Sequence, residues 1–282
     1  MPDIIDGRIA AAIYEKVRRE KPLVHHLTNF VTMGDCAAVT VSAGALPVMA
    51  QAEEEVEEMV SAARAAVINT GTLSPSRVRA MGRMGVTARE KGIPVVFDPV
   101  GAGATRYRTG EILALLRKIR PSIIKGNKAE IGFLGGLHGI KIRGIEALNI
   151  DVDPLEAAQR LLDFLDYEAV VVITGPVDVV YDFRRIARVF NGNALLPLVV
   201  GSGCMAASVI AAFAAVEEDF FTAAATALAT LGVAAELAAE SKDNLLLGPA
   251  AFKIRWLDTL FFLTAEQLVK SARIKVDEVT QG

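Results

Sequence analysis

The sequence is poor in the residues that build disulfides, zinc sites and nucleic-acid interfaces. It has two cysteines, Cys36 and Cys204, and three histidines in 282 residues. These few, widely separated residues exclude a disulfide framework and a structural zinc motif. Aromatic residues make up 6% of the chain and do not interleave with basic residues as base-stacking platforms do. With a formal net charge of -3 and no basic patch, the chain is not expected to bind nucleic acid.

A long uninterrupted apolar run is also missing. The longest uncharged stretch, residues 189–216, contains two asparagines, a proline and three glycines, which indicates a strand, a turn and a buried helix. The alanine-rich segment 222–239 carries a glycine and a glutamate and is predicted to be a buried helix. The N-terminus starts with acidic residues and lacks the regions of a signal peptide. We therefore expect a cytoplasmic protein that does not contact the membrane.

The pattern of the chain predicts an α/β fold, since short apolar runs alternate with helical segments. Hydrophobic residues make up 52% of the chain, which is enough for a large core. Runs that are apolar on both faces, separated by helices, are typical of a parallel sheet covered on both sides. We predict a three-layer sandwich with a mostly parallel central sheet, formed by one domain over residues 1–282. The predicted strands are 22–27, 47–48, 66–69, 94–97, 122–124, 169–173 and 177–181, and the predicted helices are 9–19, 35–42, 53–63, 75–91, 109–119, 127–134, 154–167 and 204–216.

Ligands of such sheets bind at the carboxyl ends of the strands. The residues Asn69, Asp98, Lys125, Thr174 and Gly201 each follow an apolar run, so we expect them at this edge.

The most informative motif is a glycine turn, Val199-Val-Gly-Ser-Gly-Cys-Met-Ala-Ala207. It opens into an alanine-rich helix, and free backbone N–H groups at a helix start, supported by the helix dipole, form a site for an anion such as a phosphate. The thiol of Cys204 stands at the predicted helix start, where the same field lowers a cysteine pKa. The motif therefore predicts phosphate binding beside a reactive thiol.

A second motif, Phe97-Asp-Pro-Val-Gly-Ala-Gly-Ala-Thr105, places an aspartate at a strand end before a loop of small residues. Asp98 can point into a phosphate site and hold Mg²⁺ directly or through water, because Mg²⁺ takes few carboxylates and several waters. The alternative is that Asp98 only caps the loop through its own backbone.

A third motif, Ile124-Lys-Gly-Asn-Lys-Ala-Glu130, ends a strand and starts a helix. Asn127 and Glu130 resemble a capping box, which alone would explain both residues. A second carboxylate beside Lys125 favours a functional role, because Mg²⁺ and a cation are the usual equipment for stabilising a transferring phosphoryl group.

Two further patterns are less specific. In Val172-Ile-Thr-Gly-Pro-Val-Asp178, Thr174 can meet a phosphate, although a plain strand, turn and strand is the better explanation when the segment is taken alone. The glycine turn at Gly201 also matches the loose dinucleotide fingerprint, but no second strand ending in an acidic residue follows about 20 residues later. No P-loop pattern is present, so nucleotide binding would need another scheme.

Taken together, the motifs resemble the hydroxyethylthiazole kinases, a branch of the ribokinase-like superfamily. The resemblance covers nearly the whole chain and is most specific where Asp98-Pro-Val-Gly-Ala-Gly-Ala104 occurs together with Pro47-Val-Met-Ala50. It extends over further segments, namely Leu23-Val-His-His-Leu-Thr-Asn29, Asn69-Thr-Gly-Thr-Leu73, Gly126-Asn127, Ala129-Glu130, Ile173-Thr-Gly175, Gly203-Cys204 and Gly232-Val-Ala-Ala235.

The resemblance implies a ribokinase-like fold and ATP-dependent phosphorylation of 4-methyl-5-(2-hydroxyethyl)thiazole, with Mg²⁺, in thiamine biosynthesis or salvage. It also implies a homotrimer with active sites at the subunit interfaces. The implied site residues fall into four groups: Cys204, Gly203 and Ser202 for catalysis; Met49, Gly201 and Asn29 for the thiazole alcohol; Lys125, Asn127 and Thr174 for ATP; and Asp98 and Glu130 for the metal.

Three departures from the family pattern stand out. Lys125 replaces a frequent arginine, which keeps the charge but loses a two-pronged grip on phosphate. Val200 and Ser202 flank the first glycine of the turn, where threonines are frequent. The segment Gly248-Pro-Ala-Ala-Phe252 has lost a glycine that is often found after the proline. Other ribokinase-like enzymes, such as an ATP-dependent hydrate dehydratase or a pyrimidine kinase, and a nucleotide-binding regulator without catalysis stay open as alternatives.

Overall fold

The computed structural model describes residues 5–137, 142–143, 146–147, 153–240 and 247–279. The ends of the predicted domain, residues 1–4 and 280–282, lie outside the described residues. The helices are α1 Gly7–Glu20, α2 Met33–Ala43, α3 Val56–Ala62, α4 Pro75–Glu90, α5 Arg106–Ile119, α6 Lys128–Leu134, α7 Pro154–Leu165, α8 Ser202–Ala214, α9 Phe220–Ala239, α10 Pro249–Phe262 and α11 Ala265–Ser271. The strands are β1 Leu23–Leu27, β2 Leu46–Val48, β3 Ala65–Asn69, β4 Val95–Asp98, β5 Ile123–Asn127, β6 Ile142–Arg143, β7 Glu146–Ala147, β8 Val170–Thr174, β9 Asp178–Tyr181, β10 Arg185–Val189 and β11 Ile274–Glu278.

Nine strands form the central sheet in the order β11-β10-β9-β8-β5-β4-β3-β1-β2. The six strands from β8 to β2 run parallel, whereas β9, β10 and β11 add antiparallel neighbours at one side. β6 and β7 form a separate antiparallel pair. The inner parallel strands such as β3 and β8 are buried on both faces, because apolar side chains fill both sides of each strand, whereas β2 at the edge of the sheet is partly exposed.

Two helical layers cover the sheet. One face packs against α1, α2, α8, α9, α10 and α11, and the other face packs against α3 to α7. The predicted three-layer α/β sandwich with a mostly parallel sheet is therefore confirmed. The helix α9 is long and apolar enough to cross a membrane, but 78% of its apolar window is buried inside the protein, as in the core helix that the sequence predicts.

The start of α8 differs from the sequence prediction. The apolar residues before Gly201 form a short 3₁₀ helix, Leu196–Leu198, and α8 begins at Ser202 instead of Cys204. Pro197 explains the 3₁₀ helix, since it cannot donate to a sheet and fits a first helical turn. Gly201 has φ 84°, a left-handed conformation that favours glycine, and a Cβ there would lie 2.4 Å from Thr32 Cγ2.

Other differences concern the ends of elements and four strands that the sequence does not predict. β6 and β7 are only two residues long. β10 and β11 lie at the antiparallel side, where charged residues such as Arg185 and Arg188 interrupt the apolar pattern. The helix α5 starts three residues earlier than predicted, because Thr105 accepts a hydrogen bond from the Arg108 amide as its N-cap.

We predict that Gly232→Ala destabilises the protein, whereas Gly110→Ala does not. Gly232 lies in α9 where a Cβ would come within 2.5 Å of Asn191 Cβ and 2.6 Å of the Asn191 carbonyl, so a methyl group forces the backbones apart. Overpacking of this kind lowers the free energy of unfolding by about 1–3 kcal/mol.

Gly110 is the matched control, since it lies in α5 and a Cβ there would meet no atom within 4 Å. Its replacement by alanine should raise the free energy of unfolding by roughly 0.5–1 kcal/mol through helix propensity. Urea unfolding of both variants measures the difference, and equal effects would contradict the close contact at Gly232.

Candidate active site

The predicted polar residues meet at the carboxyl edge of the sheet. Asn69 ends β3 and pairs in register with Asp98 at the end of β4, while Asn127 of β5 pairs with Thr174 of β8. Lys125 lies on β5 between these pairs. The helix α8 packs across β1, β3 and β4, so that its N-terminus faces this edge. The expectation from the apolar runs is thus correct for all five residues.

Free backbone N–H groups line the start of α8. The Ser202 amide donates to the Val199 carbonyl at 3.1 Å, and the first helical hydrogen bond joins the Met205 amide to the Gly201 carbonyl at 2.9 Å. In the part of the chain that the structure describes, the amides of Gly201, Gly203 and Cys204 have no partner. Three donors, supported by the dipole of a 13-residue helix, therefore point to an anion.

The ammonium of Lys125 lies beside these free amides at the start of α8. A Cβ on Gly203 would lie 2.9 Å from Lys125 Nζ, so the ammonium lies directly against the first turn of α8. Burial lowers the pKa of Lys125, but the nearby carboxylates of Asp98 and Glu130 outweigh it, so the pKa rises and the group stays charged. A buried ammonium and a helix N-terminus are both positive, which favours an anion between them.

Asp98 is buried and only partly satisfied. Its Oδ2 accepts a hydrogen bond from Asn69 Nδ2 at 2.7 Å, whereas its Oδ1 has no hydrogen bond and lies 3.5 Å from Lys125 Nζ. Burial raises the pKa of Asp98 to about 6; the Lys125 ammonium opposes this rise and the Glu130 carboxylate adds to it. A buried carboxylate oxygen without a hydrogen-bond partner, next to an anion site, suits one ligand or one water of Mg²⁺.

Glu130 has a structural function that the capping-box alternative anticipated. Its Oε2 accepts from the Asn127 amide and Asn127 Oδ1 accepts from the Glu130 amide, both at 2.9 Å. Its Oε1 accepts from the Gly101 amide at 2.9 Å, which ties the loop after Asp98 to α6. Among the described residues there is no cluster of three or more histidine, cysteine, aspartate or glutamate side chains around a common point.

Cys204 is the third residue of α8, and its sulfur lies close to two side-chain amides. Asn29 Nδ2 is 3.4 Å and Asn69 Nδ2 is 3.3 Å from Sγ. Burial raises the pKa of the Cys204 thiol to about 11, and the Asp98 carboxylate adds to this effect while Lys125 opposes it. The lowered pKa that the sequence suggested for this thiol is therefore wrong, because burial and the nearby Asp98 carboxylate both raise it.

Of the residues assigned to the acceptor alcohol, Asn29 contacts Cys204 and Gly201 precedes α8. Met49 follows β2 and is half-buried, and the Ala50 carbonyl next to it accepts from His25 Nε2 at 2.8 Å. Asn29 follows β1 and is buried, with its Oδ1 accepting from the Thr32 amide at 3.0 Å. Gly201 packs on Thr32. The amide of Asn29 is thus used by protein atoms.

A cavity of about 790 Å³ opens onto the start of α8. Its walls include Asn127, Thr174, Ser202 and Gly203, and Trp256 lies at its apolar side. Thr174 Oγ1 donates to the Gly126 carbonyl at 3.4 Å. A cavity of this volume falls within the range of small-molecule binding sites. Because Ser202 and Gly203 line it, the cavity adjoins the anion site at the start of α8.

Another cavity, of about 1120 Å³, lies at the opposite edge, where residues such as Pro121 and Ala169 precede the strands. It contains none of the predicted site residues, and we therefore assign the chemistry to the smaller cavity.

Sequence reasoning gave Asn69 no function, although it placed this residue at the strand edge. Asn69 Oδ1 accepts from Asn29 Nδ2 and from the Gly71 amide, each at 3.0 Å, while its Nδ2 faces Asp98 and Cys204. One feature of the sequence could have indicated the function of Asn69: it is an amide side chain at the end of a wholly buried strand. A buried polar group needs hydrogen-bond partners, so such a residue is expected to bind other polar side chains.

We predict that Cys204 is un-ionised at neutral pH, so that its alkylation by iodoacetamide follows its small thiolate fraction. Because only the thiolate reacts, the rate should rise about tenfold per pH unit from pH 8 to 10 without a plateau, as expected for the raised pKa of about 11. Peptide mapping by mass spectrometry separates Cys204 from the buried Cys36. N-acetylcysteine, the control, should level off near its ordinary pKa of ~8.5, and a plateau at that pH for Cys204 would contradict the prediction.

Comparison with known proteins supports the resemblance. The model of the "Hydroxyethylthiazole kinase family" matches residues 14–266. A protein from Desulforudis audaxviator (strain MP104C), named hydroxyethylthiazole kinase, is 50% identical over 260 residues, which is 92% of this chain and 93% of the relative.

Two solved structures are also similar. The structure of the hydroxyethylthiazole kinase protein from Pyrococcus horikoshii OT3 has a TM-score of 0.80 at 36% identity, over 96% of this chain and all of that chain. A ribokinase-like superfamily protein from Enterococcus faecalis V583, 15% identical over 94% of this chain and 92% of its own, has a TM-score of 0.58 and shares the fold. The chain therefore has a ribokinase-like fold and belongs to the hydroxyethylthiazole kinase family.

Proposed function

We propose that this chain transfers the γ-phosphoryl group of ATP to the hydroxyl of 4-methyl-5-(2-hydroxyethyl)thiazole in thiamine biosynthesis or salvage. One observation carries the proposal: the N-terminus of α8, with the free amides of Gly201, Gly203 and Cys204, lies against the ammonium of Lys125, which contacts a buried carboxylate, and Gly203 also lines the cavity. This is the charge pattern that stabilises a transferring phosphoryl group. Membership of the family supports the choice of acceptor.

In the proposed step, the acceptor oxygen attacks the γ-phosphorus in line. A new P–O bond forms as the bond to the bridging oxygen breaks, and ADP leaves with that electron pair. The amides of Gly201, Gly203 and Cys204 bind the charge on the transferred group. The Ser202 amide is engaged by Val199, so Ser202 contributes through its position in the turn and its place in the cavity wall.

The alcohol proton needs an acceptor late in this step. Cys204 stands at the anion site, but with a pKa near 11 its thiolate is a small fraction at neutral pH, ~10⁻⁴. Phosphoryl transfer is largely dissociative, so the alcohol loses little of its proton before attack. We therefore assign to the thiolate form of Cys204 a late proton-accepting role, which only the small ionised fraction performs and whose contribution lies within the range of general base catalysis, about 10²–10⁴-fold.

Mg²⁺ fits the residues at this edge. The unpartnered Oδ1 of Asp98 and the carboxylate of Glu130 would hold it, directly or through water. When bound, the ion would offset the negative charge of the phosphates. The ammonium of Lys125, next to Asp98, would offset phosphate charge independently of the metal. Asn127 and Thr174 line the cavity where ATP would lie.

The acceptor side suits a small sulfur-containing ring. We propose that the thioether of Met49 and the backbone of Gly201 contact the thiazole, because such pockets are mainly apolar with few orienting polar groups. Asn29 lies beside them, but its amide is turned to Cys204 and Asn69.

Apolar side chains around this side support a homotrimer with sites at the subunit interfaces. Phe30, Val31, Leu46, Leu198 and Val200 are all about half exposed or more in the single chain. Scattered apolar residues are ordinary, but a group around one site marks an interaction surface. We further propose that residues 1–282 form a single domain and that the enzyme is cytoplasmic.

We predict ADP release that depends on the added thiazole alcohol. A coupled assay over thiazole and pyrimidine alcohols should give the highest kcat/KM for 4-methyl-5-(2-hydroxyethyl)thiazole. Turnover with a pyrimidine alcohol instead would favour a pyrimidine kinase, turnover with a hydrated nicotinamide cofactor would favour a hydrate dehydratase, and binding of ATP without turnover would favour a regulator.

We predict that Cys204→Ala slows turnover by about 10²–10⁴-fold without abolishing it. Asp98→Ala should cost more, because it removes the buried carboxylate that faces Lys125 and the proposed metal. Steady-state kinetics of both variants tests the ranking. A Cys204→Ala enzyme as fast as the wild type would remove the proton-accepting role.

We predict that light scattering after size exclusion gives the mass of three chains. Val200→Lys places a charge among the exposed apolar side chains named above, which we call the apolar rim. It should shift the protein toward single chains with reduced turnover. Lys270→Glu, an exposed change in α11 away from that rim, is the control and should leave the mass unchanged. A monomeric wild type would contradict the proposed trimer.

A further inference from the structure

The sulfur of Cys204 has an environment that the proposed reaction does not explain by itself. Two side-chain NH₂ groups, from Asn29 and Asn69, lie within 3.4 Å of it. Both asparagines are almost completely buried, so these donors cannot turn to water. Buried amides are placed where their hydrogen bonds are satisfied, and here a thiol is the shared partner.

The orientation of both amides follows from their other partners. The Asp98 carboxylate can only accept, so Asn69 must turn its Nδ2 toward it, and this leaves Oδ1 for the Gly71 amide and for Asn29. Asn29 must then turn Nδ2 toward Asn69, which leaves its Oδ1 for the Thr32 amide. Neither amide can flip without facing an acceptor with an oxygen or a donor with an NH₂ group.

Each NH₂ group consequently has one hydrogen left, and both remaining hydrogens face Cys204. Asn29 uses its first hydrogen on Asn69, and Asn69 uses its first on Asp98. The sulfur therefore accepts from two amide donors, and a hydrogen bond with the hydroxyl of Thr32 also lowers the pKa of the thiol. The other ionisable groups that act on this thiol are Asp98, Lys125 and Cys36.

We propose that Asn29 and Asn69 are positioning residues that hold the Cys204 sulfur at the anion site and stabilise its thiolate over its thiol. The inference rests on the proposed function for its kinetic consequence. Hydrogen bonds to an ionised acceptor are about twice as strong as those to a neutral one, so two amide donors favour the state that has lost its proton. Asn69 also fixes Asp98, and the amide pair thus couples the thiol to the buried carboxylate.

Asn29 gives the cleaner test, because it contacts Cys204 but not Asp98. Asn29→Leu removes the donor while keeping the branched shape and excluding water. We expect the pH profile of Cys204 alkylation by iodoacetamide to shift upward, with alkylation at pH 9 about tenfold slower than in the wild type. Asn29→Ala repeats the measurement with a smaller side chain if the leucine variant does not fold.

Asn191→Ala is the matched control. Asn191 is another buried asparagine, which loses hydrogen bonds to Glu236, Ser271 and Arg273. This variant should lower the melting temperature, as the loss of any buried amide does, but it should leave the alkylation profile of Cys204 unchanged. An equal shift in both variants would mean general loosening and would overturn the proposal.

A double-mutant cycle separates positioning from simple structural support. Asn29→Leu should lower kcat for the thiazole alcohol about tenfold with KM for ATP unchanged, and by less than threefold in the Cys204→Ala background. An undiminished cost in that background, or an unshifted alkylation profile, would overturn the proposal. If the wild type releases no ADP with any alcohol, the proposed function fails, and the alkylation profiles still decide the role of the amide pair.

Discussion

The buried contact between Asp98 and Lys125 is the constraint on which the site depends. Two charges taken out of water lose their hydration, and a single contact of 3.5 Å does not replace it. The surroundings supply the rest: Asn69 binds one carboxylate oxygen, and Glu130 keeps the ammonium charged from a second side. The remaining carboxylate oxygen is left without a hydrogen bond. A buried carboxylate oxygen without a hydrogen-bond partner is suited to a charged ligand, which would supply the missing interaction.

The helix α8 meets this pair with its positive end, and this explains its unusual start. A cation at a helix N-terminus is unfavourable by itself, and the left-handed Gly201 and bare Gly203 bring the two closer than other residues would allow. The arrangement favours phosphate strongly over water. The protein thus holds unpaired donors at the place where ATP would deliver its terminal phosphate.

Much of this could be predicted from the sequence, because local patterns determine it. The buried strands β3, β4, β5 and β8 are continuous apolar runs, and their final polar residues had to meet at one edge. The pKa of Cys204 could not be predicted, since it depends on how deeply the thiol is buried among neighbours from β1, β3 and β4. The amide chain from Asn29 to Asp98 was equally hidden, because residues 40 and 29 positions apart in sequence form its links.

The packing of Lys125 against Gly203 carries a consequence for how this site can change over generations. The ammonium occupies the volume that any side chain at position 203 would need. A larger residue at 203 therefore requires the Lys125 ammonium to move away from the start of α8. Substitutions at positions 125 and 203 should therefore depend on each other. Whether an exchange at one position is tolerated is determined by the residue at the other.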